Sequence, residues 1–337
     1  MCVTRITMDH LSYANLISIK NLFQAWNEFK VGKHNKKDVQ AFEVDLEDNL
    51  FSLNQKLKKV TYKHGNYQSF WVNDPKRRHI HKASVEDRIV HHLLYKFLYE
   101  LFDKSFIYDS YSCRLDKGTH KGVKRLFKIT RRVSKNYTRN CWALKCDIKK
   151  FFATVDHEIL LTLLLKRVED KNILGLLENV IKSFSSDSGD GKGIPLGNLT
   201  SQIFANIYLN KLDQFVKHKL KIKYYLRYAD DFLFLSADKE ELTRLTTSIR
   251  AFLIKELKLE LHPDKVIIRK LNWGIDFLGY VVLPHYILPR TKTKRRVLER
   301  VNTQNAESYL GYLSHSSAYN LSVAVKNKIW LWREDKF

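Results

Sequence analysis

Apolar and polar residues alternate along this chain with two different periods, and the switches between them mark its elements. In LISIKNLFQAWNEFK, residues Leu16, Ile17, Leu22, Phe23 and Trp26 recur at helical spacing. VQAFEVDLEDNLFSLNQKLKK repeats that pattern after the basic break VGKHNKKD, so residues 9–60 read as helical. Residues 66–72 alternate like a strand, and Asp74-Pro75 marks a turn. Ser84 then precedes VEDRIVHHLLYKFLYELF, a long helix with acids in its first turn, where the helix dipole favours them.

The middle of the chain changes character. CWALKCDI sets Trp142, Leu144 and Cys146 against Ala143, Lys145 and Asp147, a strand pattern. DHEILLTLLLKRV predicts a helix with Asp156 as its N-cap. SSDSGDGKG is a flexible turn, after which Asn198 or Thr200 opens a helix through FANIYLNKLDQFVKHKL. KIKYYLRYADDFLFLS reads as two strands joined by a tight turn at Ala229-Asp230-Asp231. ELTRLTTSIRAFLIKEL predicts a helix, followed by short strands at LELHPDKV, WGIDFLGYVV and near Leu288. The basic tail RTKTKRRVLERVNTQNAESYLGYLSH reads as helical. No regular βαβ rhythm emerges. Short strands in hairpins predict an antiparallel α+β core with helical additions at both ends.

Composition narrows the function. At ~150 residues per domain, 337 residues suggest about two domains. Hydrophobic residues at 44% and charged residues at 28% exclude a disordered or fibrous chain. Lys+Arg number 59 against 36 Asp+Glu, a net charge of +23, which points to a polyanionic partner, nucleic acid before membrane. No run approaches the ~20 apolar residues of a membrane span, and the N-terminus lacks the apolar core of a signal peptide. Cys2, Cys113, Cys141 and Cys146 show neither disulfide-scaffold nor zinc spacing, which suits a reducing cytoplasm.

The chemistry concentrates at Tyr228-Ala229-Asp230-Asp231. Neighbours in a strand point to opposite faces, but at a turn both carboxylates can converge. Like charges so close repel unless a cation neutralises them, and hard divalent cations prefer carboxylate oxygens. A third carboxylate, Asp147, ends its own apolar strand. If that strand lies beside the hairpin, Asp147 faces Asp230 and the site suits two metals about 4 Å apart. Solvated turn residues are the rival reading for a lone Asp-Asp pair. It loses ground because both segments are flanked by runs too apolar for surface loops.

The order of motifs over roughly residues 66–283 resembles a reverse transcriptase. KCDIKKFFATVDHEIL resembles the first catalytic palm motif, GIPLGNLTSQIFANIYLNKLD the next, and YADD with its flanking strands the signature hairpin. LELHPDKV and FLGYVV resemble the last palm motifs. PKRRHIHKASVEDRIVHHLL and YSCRLDKGTHKGVKRL resemble the fingers motifs. Most members carry a Gln before the Gly of the second palm motif and Ser-Pro after it. Here Leu196-Gly197 is followed by Ser201-Gln202, which looks like the reverse transcriptases of diversity-generating retroelements. Those enzymes copy a template RNA into cDNA with frequent errors at template adenines, and the cDNA replaces a variable region of a target gene.

The resemblance implies a right-hand polymerase: an N-terminal helical extension over 1–65, fingers over 66–140, an antiparallel-sheet palm over 141–284 and a short helical thumb over 285–337. It implies two Mg²⁺ ions held by Asp147, Asp230, Asp231 and the carbonyl of Ile148, with Asp231 set slightly back. Phe152 would select deoxynucleotides by blocking a ribose 2′-hydroxyl, although one of the adjacent Phe151 and Phe152 belongs to the core. Lys76 and Arg78 fall where the fingers hold the triphosphate, for which Arg offers a planar fork. Arg88 is read instead as a structural ion pair. Leu196 and Gln202 would line the floor under the nascent base pair. Leucine there lacks glutamine's hydrogen bonds and would relax fidelity, with plain core packing as the rival reading. Lys265 would stand near the pyrophosphate, as a general acid or a point charge.

Among the basic runs, Lys117, Lys121, Lys124, Arg290, Lys294 and Arg295 would follow the RNA–DNA duplex, as could Tyr309 and Tyr312. Implied partners are template RNA, the cDNA product, deoxynucleoside triphosphates and a separate small, basic, oligomeric accessory variability protein, with no membrane. Two readings compete: a retron or group II intron-type reverse transcriptase, and a catalytically silent RNA-binding or defence protein on a polymerase fold.

Overall fold

A computed structural model of the chain describes residues 12–73 and 77–334. Asp74, Pro75, Lys76 and Cys2 lie outside them. The chain divides into two compact units, each assembled from three stretches. The first takes the chain up to Ile107, Lys149–Phe215 and Phe252–Glu260. The second takes Tyr108–Ile148, Val216–Ala251 and the chain from Leu261 onward.

The first unit is built mainly of helices. Ile19–Lys30 buries Leu22, Ala25, Trp26 and Phe29, and Leu46–Lys58 buries Leu50, Leu53 and Leu57. These stripes follow the helical period seen in the sequence. The side chain of Ser84 caps the helix Val85–Phe102, and that of Asp156 caps His157–Leu165. The helix Leu199–Gln214 is enclosed on nearly every side, burying Ile203, Phe204, Ala205, Ile207, Tyr208, Leu209 and Leu212. Strands β1 (Gln68–Val72) and β2 (Arg78–Lys82) form an antiparallel hairpin. The strand expected over residues 66–72 is present as β1, yet all five of its residues are exposed. Trp71 finds its partners on the hairpin itself, stacking on His79 at 4.5 Å beneath the guanidinium of Arg77 at 4.1 Å.

The second unit carries two antiparallel sheets. Strands β3 (Trp142–Asp147), β4 (Tyr225–Tyr228), β5 (Asp231–Ser236) and β6 (Ile267–Lys270) lie in the order β4-β5-β3-β6. Strands β7 (Ile275–Phe277), β8 (Tyr280–Val282) and β9 (Ile287–Pro289) form the smaller sheet. Val123, Leu126 and Ile129 of the helix Thr119–Val133 share a core with Ala143, Leu226, Leu233 and Phe277. Helices Thr291–Arg300, Ala306–Leu313 and Tyr319–Glu334 close on a core of their own around Val297, Leu313 and Val325. The fold is thus α+β with antiparallel sheets, as expected.

One local expectation fails: LELHPDKV is not a strand, because the His262 side chain caps a 3₁₀ turn at Pro263–Lys265 and β6 starts beyond it. The closing helix Tyr319–Glu334 falls within the helical addition expected at the C-terminal end. Cys113, Cys141 and Cys146 are free thiols. Among the described residues no helix is long and apolar enough to cross a membrane.

Candidate active site

The end of the β4-β5-β3-β6 sheet gathers the acidic residues. Asp147 closes β3 and stands opposite Asp231, the first residue of β5, while Tyr228 of β4 pairs with Asp231 from the other side. Ala229 and Asp230 make the connection between β4 and β5. The strand of Asp147 therefore does lie beside the hairpin, but the register sets it against Asp231 rather than Asp230. Ala229 has φ +51°, a left-handed conformation that side-chain-bearing residues rarely hold without support.

That support comes from Arg227. It is fully buried, and its Nη1 donates to the Ala229 carbonyl at 3.2 Å. Its backbone N–H donates to Asp109 and its carbonyl accepts from Tyr111, each at 2.9 Å. Asp109 is clamped in turn by Arg125, with nitrogen–oxygen distances of 2.8 and 3.1 Å.

Two lysines meet the carboxylates. Lys145 precedes Asp147 by two residues and so shares its face of β3. Its Nζ lies 3.2 Å from Asp231 Oδ2 and donates to the Asp276 carbonyl at 3.1 Å. Lys265 Nζ lies 2.9 Å from Asp147 Oδ1. It is brought there by the His262 N–H, which donates to the Asp147 carbonyl at 2.8 Å, and by the bridge between Ile148 and Leu261. Sequence reasoning missed Lys145, although a lysine inside an apolar strand two residues before Asp147 was a usable signal.

Burial dominates the electrostatics of Asp231. It lifts the carboxyl to about 6, with Asp147 and Asp230 adding to the rise and Lys145 opposing it. The second oxygen, Oδ1, is buried without a hydrogen-bond partner among the described residues. As the side chains stand, no three His, Cys, Asp or Glu among the described residues are gathered to hold a metal ion. Lys145 and Lys265 instead balance two of the carboxylates. The donor set nevertheless fits a hard divalent cation: carboxylate oxygens that repel one another, one of them buried and unpartnered.

The other sequence-predicted residues are distributed as follows. In the first unit, Arg78 is exposed at the start of β2 opposite Val72, and Lys76 lies outside the described residues. Phe151 is the core member of its pair; Phe152 is half-buried, edge-on to it at 5.3 Å. Leu196 is half-buried, with its carbonyl accepting from His81 N–H at 2.9 Å. Gln202 is exposed on an otherwise enclosed helix. Arg88 is ion-paired with Asp38, as expected.

In the second unit, Lys117 donates to the Tyr108 carbonyl at 2.8 Å and covers its ring. Lys121 sits 3.7 Å from Asp116, and Lys124 and Arg295 are exposed. Lys294 is half-buried. Arg290 is engaged by Asp276, Nε to Oδ1 at 2.6 Å. Tyr312 stacks on Tyr280 at 4.6 Å and donates to the Gly279 carbonyl, a packing role; Tyr309 packs against the core of the C-terminal helices.

Residues 63–282 match the reverse transcriptase (RNA-dependent DNA polymerase) family. The chain is similar to protein YkfC of Escherichia coli (strain K12), 25% identical over 285 residues that cover 74% of this chain and 72% of that protein. It is also similar to the group II intron-encoded protein LtrA of Lactococcus lactis subsp. cremoris, 22% identical over 303 residues, covering 69% of this chain and 49% of that protein. The putative COX1/OXI3 intron 2 protein of Saccharomyces cerevisiae is 22% identical, covering 88% of this chain and 40% of that protein. The chain thus spans about half or less of these two intron-encoded relatives. Among solved structures, telomerase from Candida albicans in complex with a fragment of telomeric RNA matches with a TM-score of 0.53 at 14% identity, over 76% of this chain and 52% of that one. That likeness concerns the fold alone.

Proposed function

Because this chain belongs to the reverse transcriptase (RNA-dependent DNA polymerase) family, we propose that it extends DNA by copying an RNA template from deoxynucleoside triphosphates. The observation that carries this reading is the pairing of Asp147 with Asp231 beside Asp230 in the turn. Asp147, Asp230, Asp231 and the Ile148 carbonyl would hold two Mg²⁺ ions. When bound, such ions make a 3′-hydroxyl a better nucleophile and stabilise the departing pyrophosphate. Lys265 and Lys145 keep Asp147 and Asp231 charge-balanced before the ions arrive. Lys265 is then available to meet the pyrophosphate oxygens. Lys76 and Arg78 would hold the triphosphate, and Phe152 would exclude the ribose 2′-hydroxyl. The exposed Lys124 and Arg295, with Lys117, Lys121, Arg290 and Lys294, would follow the duplex.

The finer assignment is to the diversity-generating type. It rests on Leu196 before Gly197 and on Gln202 after Ser201. Leucine offers the nascent pair no hydrogen bond, which loosens the check on base geometry. A separate basic accessory protein would act with the enzyme, and free thiols suit a cytoplasmic setting. The similarity to intron-encoded proteins favours a second reading, a group II intron-type enzyme. One experiment separates them. The protein is incubated with template RNA, Mg²⁺ and nucleotides, with and without a candidate accessory protein, and the cDNA is sequenced. Substitutions concentrated at template adenines, lost in Leu196→Gln, support the first reading. Faithful cDNA supports the second, and no product under any condition overturns both.

A further inference from the structure

The first unit encloses a polar chain that none of the roles above uses. The imidazole of His64 is fully buried and His91 is 1% exposed. His64 Nε2 lies 3.0 Å from His91 Nε2, and His91 Nδ1 lies 2.5 Å from Thr200 Oγ1. At the other end, His64 Nδ1 lies 2.7 Å from the Gly65 carbonyl. A carbonyl only accepts, so His64 carries its proton on Nδ1 and presents a lone pair at Nε2. His91 must then donate through Nε2 and accept at Nδ1, and the Thr200 hydroxyl donates to it. One acceptor thereby sets the direction of the whole relay while both rings are neutral. Burial keeps His91 neutral, pushing it down to about 3. The start of the relay is itself fixed: the Gly65 N–H reaches the Asp87 carboxylate at 3.3 Å, and Asp87 also accepts from Tyr62 and Ser84 hydroxyls at 2.6 Å each.

The far end of the relay is a helix start that lacks an ordinary cap. Thr200 sits in the first turn of Leu199–Gln214, where backbone N–H groups have no partner within the helix. Asn198, at the N-cap, makes no capping bond to that helix. Its side chain reaches across instead, donating to the His81 carbonyl at 2.8 Å and accepting from the Ala83 N–H at 3.4 Å. Ser201 donates to the Pro195 carbonyl at 2.7 Å. The first turn is therefore held by side-chain bonds, with the relay as its deepest tie. Leu196 precedes this turn and Gln202 lies within it.

We infer that His64 and His91 are positioning residues whose relay to Thr200 sets the first turn of the Leu199–Gln214 helix and, through it, the seating of the incoming nucleotide against Leu196 and Gln202. The inference rests on the nucleotide-binding reading of those two residues. Thr200→Val tests it, because valine keeps the shape and removes only the hydroxyl; Thr200→Ser keeps the hydroxyl.

Two measurements are made on the full chain. Amide exchange over residues 199–203 is expected to quicken about tenfold in T200V, the loss of about one hydrogen bond, and to stay near wild type in T200S. In primer extension on an RNA template, T200V is expected to raise KM for the nucleotide about five- to tenfold with kcat held within about twofold, and T200S to restore it. Unchanged exchange in T200V overturns the relay. Faster exchange with an unchanged KM, or with kcat falling alone, overturns its link to the nucleotide. If the wild-type protein makes no cDNA, the polymerase reading and that link both fail, while exchange still decides the relay.

Discussion

Replacing Asp231 by asparagine is expected to stabilise the metal-free protein above neutral pH while abolishing polymerisation. Burial, reinforced by Asp147 and Asp230, lifts the Asp231 carboxyl from 3.8 to about 6 in spite of Lys145. At 1.36 kcal/mol for each tenfold change in proton affinity, that displacement corresponds to about 3 kcal/mol. A carboxyl held above its unfolded value binds its proton more readily in the folded chain. Its stabilising contribution is full below about pH 4 and is lost as the pH rises through about 6. Asparagine has nearly the same shape and no charge, so it escapes that loss. Lys145 keeps its bond to the Asp276 carbonyl at 3.1 Å, so the substitution does not strand an ammonium group. After allowance for solvent near the site, the net gain is about 1–2 kcal/mol at about pH 8 and close to zero at about pH 4.5. Urea unfolding in the presence of a chelator measures it. A gain that is the same at both pH values, or a variant less stable at the higher one, would refute the reasoning. Adding back a divalent cation should raise the wild-type midpoint and leave that of the variant in place.

Three further outcomes are expected. Gly197 has φ +110°, and a Cβ there would lie 2.7 Å from Ile80 Cγ2, so Gly197→Ala should cost about 1–3 kcal/mol of stability by thermal or urea unfolding. Lys265→Met removes the ammonium 2.9 Å from Asp147. It should tighten the apparent affinity for divalent cations in a metal titration while slowing nucleotide incorporation by about tenfold or more. Asp156 caps a helix through the Ile159 N–H at 3.0 Å and pairs with Lys258 at 2.7 Å. Burial works to raise its carboxyl, but the Lys258 bond and the cap bring it below the ordinary value. Asp156→Ala should therefore cost about 1–2 kcal/mol at neutral pH, and the deficit should shrink as the pH falls through the carboxylate range.

What the sequence made legible follows from where each element packs. β3 and the β4–β5 hairpin were readable from their short apolar runs: Ala143, Leu226, Leu233 and Leu235 share one core, and Phe232 and Phe234 between them are buried as well. In the hairpin of β1 and β2 every residue of β1 is exposed and most of β2 is half-buried, and the sequence pattern said nothing of the Trp71–His79–Arg77 stack. At LELHPDKV a proline with fixed φ and a capping histidine outweighed the alternation. Tyr319–Glu334 belongs to the helical addition expected at the C-terminal end, and it buries Val325 with Val297 and Leu313 of the preceding helices. In the site, Asp230 and Asp231 were legible as a carboxylate pair in a turn and Asp147 as the end of an apolar strand. Lys265 was named from the motif resemblance, but its contact with Asp147 was not legible, since it reaches across 118 positions. The relay was hidden for the same reason: His91 and Thr200 are 109 positions apart.

The way the chain passes back and forth between its two units bears on how it can be made. Neither unit is a continuous stretch, and the first is completed only when Phe252–Glu260 arrives. Everything through Glu260 must therefore leave the ribosome before that unit can close. Until then the largely buried Leu199–Gln214 helix has no finished interior to occupy. Nascent chains should depend on holdase chaperones, and pausing of translation near that point should affect the yield of native enzyme more than pausing earlier.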